Sequence, residues 1–184
     1  MLTERFDRAL AYASRLHRSQ MRKGTGIPYI SHLLTVSALV IEQGGSEDQA
    51  IGGLLHDAAE DQGGEATLAV IRNDYGEAVA AIVADCTDAW VEPKPPWRAR
   101  KEAYLARLPE KPATSLLVSL ADKVHNARSI LADREEIGDA VWSRFSGGRE
   151  GSLWYYDALA KIFAEKLPGR LSAELSRIVE RLQA

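Results

Sequence analysis

Residues 53–61 read Gly-Leu-Leu-His-Asp-Ala-Ala-Glu-Asp, an apolar helical run that turns abruptly acidic. Helical spacing of four sets His56 beside Glu60 and Asp57 beside Asp61, while the adjacent His56 and Asp57 diverge by about 100°. At the end of an apolar run that side faces the core, where unpaired carboxylates are costly and tend to change protonation state. A divalent cation would compensate them, because imidazole nitrogen and carboxylate oxygen are ligands for Zn, Mn and Fe. The alternative is structural: the His-Asp pair ends a helix, His56 is partly buried with a hydrogen bond, and Glu60 and Asp61 are solvated surface.

Two other stretches favour the cation. His32 opens a helix directly after a loop containing glycines and a proline, and residues 115–128 again place an acid and an amide within an apolar helix. There Asp122 and Asn126 are four apart and share a side. His32, His56, Asp57 and Asp122 then supply two imidazoles and two carboxylates, a shell that leaves coordination positions for water and substrate.

The elements that position these residues are helices. Spacing of three and four recurs along the chain and strand-like alternation does not, so an all-α fold of about ten helices is expected. Thr3 caps a first helix with Phe6, Leu10 and Ala13 on one side, fraying near Ser19. A second helix starts at Ser31 or a neighbour and runs to about Glu42. Ser46 and Gln49 form a capping box for a third, which carries the His-Asp pair and ends before Gly63-Gly64. Further helices are expected at about Glu65 to Asp74, Glu77 to Asp88, Trp97 to Leu108, Pro112 to Asp133, Asp139 to Phe145, Glu150 to Lys166 and Leu171 to Leu182. The prolines of Val-Glu-Pro-Lys-Pro-Pro-Trp impose an irregular loop at 91–97.

Composition limits the setting. The 184 residues, 46% hydrophobic and 27% charged, suit a single domain over 1–184. A net charge of −3 gives no reason to expect nucleic acid or an anionic membrane as partner. The single cysteine, Cys86, cannot form an internal disulfide. With no secretory leader or apolar membrane span legible in the sequence, the cytoplasm is the expected compartment. Oligomeric state is not legible.

The order His32, His56-Asp57, Asp122 resembles that of HD-domain metal-dependent phosphohydrolases. Arg-Lys-Gly-Thr-Gly-Ile-Pro-Tyr-Ile-Ser-His (22–32), Leu-Leu-His-Asp-Ala-Ala-Glu-Asp (54–61) and Leu-Ala-Asp-Lys-Val-His-Asn-Ala-Arg (120–128) are more closely similar to the hydrolase domain of Rel/Spo homologues and to small alarmone hydrolases built from that domain alone. The similarity spans nearly the whole chain, leaving no segment here for synthetase or regulatory domains. It implies an all-α fold and hydrolysis of the 3′-pyrophosphate of (p)ppGpp, usually with Mn²⁺. It makes His32, His56, Asp57 and Asp122 the metal ligands, and Glu60 and Asp61 the pair that activates and positions the attacking water.

Arg22 and Lys23 then hold the pyrophosphate or lie against the base, where without the resemblance they would read as a solvated basic pair. Asn126 falls near the ribose, and Arg128 and Ser129 where the same helix approaches the nucleotide. Lys123 and His125 interleave on other sides, as supporting or surface groups. Tyr155 offers a stacking surface or a phosphate-binding hydroxyl, whereas Trp154 is expected in the core. Trp90 and Trp97 are expected to anchor the proline loop, and His17 to be structural or exposed. Cys-Thr-Asp-Ala-Trp (86–90) departs from the threonine-lysine pair usual in long Rel proteins, so guanosine and adenosine alarmones, (p)ppGpp and (p)ppApp, both stand as substrates. Other readings are an HD-type phosphohydrolase of nucleoside monophosphates or the NADPH 2′-phosphate, and a helical module that binds nucleotides without turnover. Glu60 and Asp61 separate the enzymes from that module, which has no need of a second carboxylate pair.

Overall fold

The computed structural model describes residues 1–88, 90 and 93–184. The chain folds as helices α1 (Glu4–Leu16), α2 (Ile30–Glu42), α3 (Glu47–Leu55), α4 (Ala58–Asp61), α5 (Gly64–Tyr75), α6 (Glu77–Cys86), α7 (Trp97–Arg107), α8 (Ala113–Ile137), α9 (Gly148–Lys166) and α10 (Arg170–Gln183). Tighter 3₁₀ turns occupy Leu108–Glu110 and Gly138–Arg144. The fold class is all-α, as expected. Among the described residues no helix is long and apolar enough to cross a membrane.

Local chemistry sets several boundaries. Thr3 Oγ1 accepts from the Arg5 N–H at 3.2 Å and caps α1. Ser46 and Gln49 form the reciprocal box that opens α3. Gly44 (φ 77°) and Gly138 (φ 64°) take the left-handed backbone that ends α2 and α8. The helix expected over Asp139 to Phe145 is instead the 3₁₀ turn Gly138–Arg144, because α8 runs on to Ile137 and leaves too short a segment for its own α-helix. Of the proline loop, Val91 and Glu92 lie outside the described residues.

The third expected helix is broken. α3 stops at Leu55, Asp57 takes φ −96° and ψ −3°, and α4 starts at Ala58. Consecutive side chains diverge by about 100° in an unbroken helix. The break lets His56 and Asp57 turn toward one point.

Two apolar clusters flank that point. Leu33, Ile51, Leu54, Leu55, Ile71 and Val79 pack among α1, α2, α3, α5 and α6. Val118, Leu120, Val124, Leu159, Phe163 and Leu175 pack α8, α9 and α10. α2 and α3 cross tightly because Gly53 has no side chain: a Cβ there would lie 3.0 Å from Ser37 Cα. Ser37 Oγ donates to the Ala50 carbonyl at 2.8 Å across the same crossing, which fixes the helices carrying His32 and His56.

Candidate active site

Three helical segments bring four ligand-type side chains together. His32 comes from the first turn of α2, His56 and Asp57 from the α3–α4 break, and Asp122 from the middle of α8. His56 Nε2 lies 2.9 Å from Asp57 Oδ2 and 3.7 Å from Asp122 Oδ1. His32 Nε2 lies 3.5 and 3.2 Å from the same two oxygens. Ligand atoms each about 2.1 Å from one ion must stand roughly 3 to 4 Å apart. The four histidine-to-carboxylate distances meet that condition.

A second observation supports the fit. Both Nε2 atoms are buried and, among the described residues, have no hydrogen-bond partner, an arrangement that is costly unless something accepts their lone pairs. His56 Nδ1 donates to the Gly53 carbonyl at 2.9 Å, which leaves its Nε2 free for a cation. Two imidazoles and two carboxylates suit a divalent ion. The ligand atoms of His32, His56 and Asp57 all lie within 4.8 Å of one another, a group that Asp122 borders through the two histidines without joining.

The carboxylates are held in turn. Tyr29 donates its hydroxyl to Asp57 Oδ2 at 2.6 Å. Lys123 pairs with Asp122 Oδ2 at 2.5 Å, and Asn126 donates to Asp122 Oδ1. Arg22 donates to Asn126 Oδ1 at 2.8 Å. Burial alone would raise the Asp122 carboxyl, but the Lys123 ammonium and the nearby imidazoles of His32 and His56 outweigh it and hold it well below the usual range. His125 Nδ1 lies 2.7 Å from His32 Nδ1.

Glu60 and Asp61 face a small polar chamber of about 170 Å³ that they share with Asp57 and Asp122. Glu60 accepts the Asp88 N–H at 3.1 Å and pairs with Lys94 at 3.0 Å. Asp61 accepts from Gln20 at 2.8 Å. Burial pushes both carboxyls up, helped by the charge of Asp88 at Glu60 and of Asp57 at Asp61. A carboxyl tuned upward is suited to taking or returning a proton near neutral pH.

Tyr29, Lys101, Lys123, Asn126 and Tyr155 also line a larger cavity of about 540 Å³, so the chamber opens into it. Arg22, Lys23 and Ser129 border that cavity, as the sequence suggested. Tyr155 is 5% exposed, and among the described residues its hydroxyl has no partner, which leaves a hydrogen-bonding group free between the two spaces.

Arg128 is the exception. It lines neither cavity and pairs with Glu174 of α10 at 2.6 Å. It lies two positions beyond Asn126, a rotation of about 200° that sends it to the opposite side of α8. Arg128→Ala is therefore expected to leave kcat/KM within about twofold and to cost under about 1 kcal/mol, the usual size for a solvent-accessible pair. Steady-state kinetics and thermal melting check both.

Several lining residues escaped the sequence reading. Lys123, taken as a supporting or surface group, is at the junction of the two spaces. Arg100, Lys101 and Arg144 add charge to the larger cavity. Trp97 also borders it, with its ring 2.6 Å from where a Cβ of Gly147 would be, so this face of α9 must be bare. Trp154 is half-buried against the core and lies under the Arg98 guanidinium at 3.3 Å. His17 is buried and structural: it bonds Gln20 at 2.7 Å and stacks on Tyr29. Gln20 and Tyr29 in turn hold Asp61 and Asp57, a link no periodicity reveals.

Comparison with known proteins agrees with this geometry. A family model described as HD domain matches residues 9–152. The human guanosine-3′,5′-bis(diphosphate) 3′-pyrophosphohydrolase MESH1 is 34% identical over 125 residues, covering 66% of this chain and 67% of that protein. A guanosine-3′,5′-bis(diphosphate) 3′-pyrophosphohydrolase of Aquifex aeolicus is 32% identical over 133 residues; the match covers 72% of this chain but only 19% of that longer protein. A solved structure described as a metazoan orthologue of SpoT that hydrolyses ppGpp has a TM-score of 0.80, covering 98% of this chain and 97% of that one at 22% identity, which establishes the shared fold. The chain belongs to the HD-domain family and, within it, to the hydrolases related to guanosine-3′,5′-bis(diphosphate) 3′-pyrophosphohydrolase.

Proposed function

We propose that this protein is a divalent-metal-dependent 3′-pyrophosphohydrolase of alarmone nucleotides, releasing pyrophosphate and leaving the nucleoside 5′-di- or triphosphate. The observation that carries the reading is the meeting of His32, His56, Asp57 and Asp122 beside the carboxyls of Glu60 and Asp61, at the mouth of a cation-lined cavity. His32, His56, Asp57 and Asp122 would hold the ion, with Mn²⁺ as the proposed metal. When bound, a divalent ion acidifies water and offsets phosphate charge as it develops.

The chain's own groups do the rest. Glu60 and Asp61 take the proton of the attacking water and steer it at the phosphorus nearest the ribose. Lys123 and Tyr155 stand where the small chamber meets the large one and bind the transferring pyrophosphate. Arg22 and Lys23, together with Arg100 and Lys101, which share the one carboxylate of Asp88, leave a net positive charge that matches a nucleotide phosphorylated at both ends. Asn126 and Ser129 face the ribose and base. Among the described residues Asp133 is the one acidic group lining this cavity, and Arg144 neutralises it at 2.5 Å.

The test is a substrate panel of ppGpp, ppApp, NADPH and a nucleoside monophosphate, each with Mn²⁺. Pyrophosphate release from an alarmone is expected, and EDTA is expected to reduce it at least about 1,000-fold. Release of phosphate from the monophosphate or NADPH, with both alarmones left intact, would transfer the assignment to the other phosphohydrolase reading.

A further inference from the structure

We infer that His125 is a positioning residue that holds the imidazole of His32 in its cation-binding tautomer, an inference that rests on the metal centre proposed above. The two Nδ1 atoms are 2.7 Å apart, with ring centroids 4.9 Å apart and ring planes 28° from parallel, so the rings meet nearly edge to edge. Ring nitrogens at that distance share one proton, with one donating and the other accepting. The other nitrogen of His32, Nε2, is buried, has no hydrogen-bond partner among the described residues, and lies 3.2 Å from Asp122 and 3.5 Å from Asp57. An imidazole that binds a cation through Nε2 keeps its proton on Nδ1. The shared proton therefore belongs to His32, and His125 presents a bare Nδ1 with its own proton on Nε2.

The two histidines of the centre thus differ in their support. His56 leans on the Gly53 carbonyl at 2.9 Å, which can only accept. His32 leans on a side chain that could also donate, so its tautomer depends on one residue. His125 follows Asp122 by three positions on α8, and its carbonyl accepts the Ser129 hydroxyl at 3.0 Å. By this geometry α8 contributes one ligand and orients a second, carried by α2.

Two substitutions separate orientation from bulk. His125→Leu removes the acceptor, whereas His125→Asn restores an oxygen close to the place of Nδ1. Mn²⁺ affinity is read from the paramagnetic resonance signal of the free ion, with melting in EDTA as a check that each variant is folded. His125→Leu is expected to weaken binding about 10- to 100-fold, the usual effect of losing a ligand's outer partner, and His125→Asn to recover most of it. Equal affinity in folded His125→Leu and wild type, or an Asn variant as weak as the Leu variant, overturns the role. Nitrogen-15 spectra of the Zn²⁺-loaded wild type decide independently of any variant: His125 protonated at Nε2 and bare at Nδ1 supports it, and the reverse refutes it. A wild type that binds neither ion removes the metal centre itself, an outcome distinct from failure of His125 alone.

Discussion

Asp122→Asn is expected to abolish metal binding and to lower kcat/KM by on the order of 1,000-fold or more, because it removes a carboxylate shared by both imidazoles. The asparagine variant is the informative one. Asp122 also neutralises Lys123, whose side chain is only 14% exposed, at 2.5 Å. Both substitutions remove the charge that meets that ammonium, and breaking such a pair from one side costs about 3–5 kcal/mol; Asp122→Asn still offers it an oxygen, whereas Asp122→Ala leaves no acceptor at this position. Loss of activity in the alanine variant therefore mixes misfolding with loss of the ion. Metal content, melting temperature and rate measured on both variants separate the two. A folded Asp122→Asn that retains stoichiometric metal and turnover contradicts its role as ligand.

The second large effect lies at Glu60. Glu60→Gln keeps an acceptor for the Asp88 N–H while losing the charge that meets Lys94. Metal affinity is expected to stay near the wild-type value, and kcat to fall about 100- to 10,000-fold, the range for removing a positioned general base. The pH profile supplies a second readout. Burial and the nearby Asp88 raise the Glu60 carboxyl above its ordinary value. A base must be deprotonated, so wild-type rate falls as pH drops through that raised value, and the Gln variant loses this limb. Asp61→Asn made in parallel assigns the proton: whichever substitution costs more in kcat at unchanged metal affinity marks the base. A Glu60→Gln variant with normal turnover ends the assignment.

Much of the fold was legible because helices announce themselves locally. The Thr3 cap, the Ser46–Gln49 box and the glycines after α2 and α8 are short-range chemistry, and each lies where a helix starts or stops. The meeting of His32, His56, Asp57 and Asp122 was legible for a related reason: polar groups at the ends of apolar runs need compensation, and three such places implied a common partner. What the sequence concealed is geometry that depends on partners distant along the chain. The break between His56 and Asp57 leaves the helical period unchanged and is visible only once Asp57 meets Tyr29 and the two histidines. Lys123 projects about 100° from Asp122 on an ideal helix, yet its long stem lets the ammonium fold back onto the carboxylate. Arg128 shows the converse, since proximity in sequence to Asn126 suggested a shared site that helical rotation forbids.

The most direct measurement is diffraction from Mn²⁺-soaked crystals at the manganese absorption edge. The account predicts one anomalous peak within about 2.3 Å of His32 Nε2, His56 Nε2 and the carboxylates of Asp57 and Asp122. A peak elsewhere, with these four side chains bonded only to one another, would contradict it.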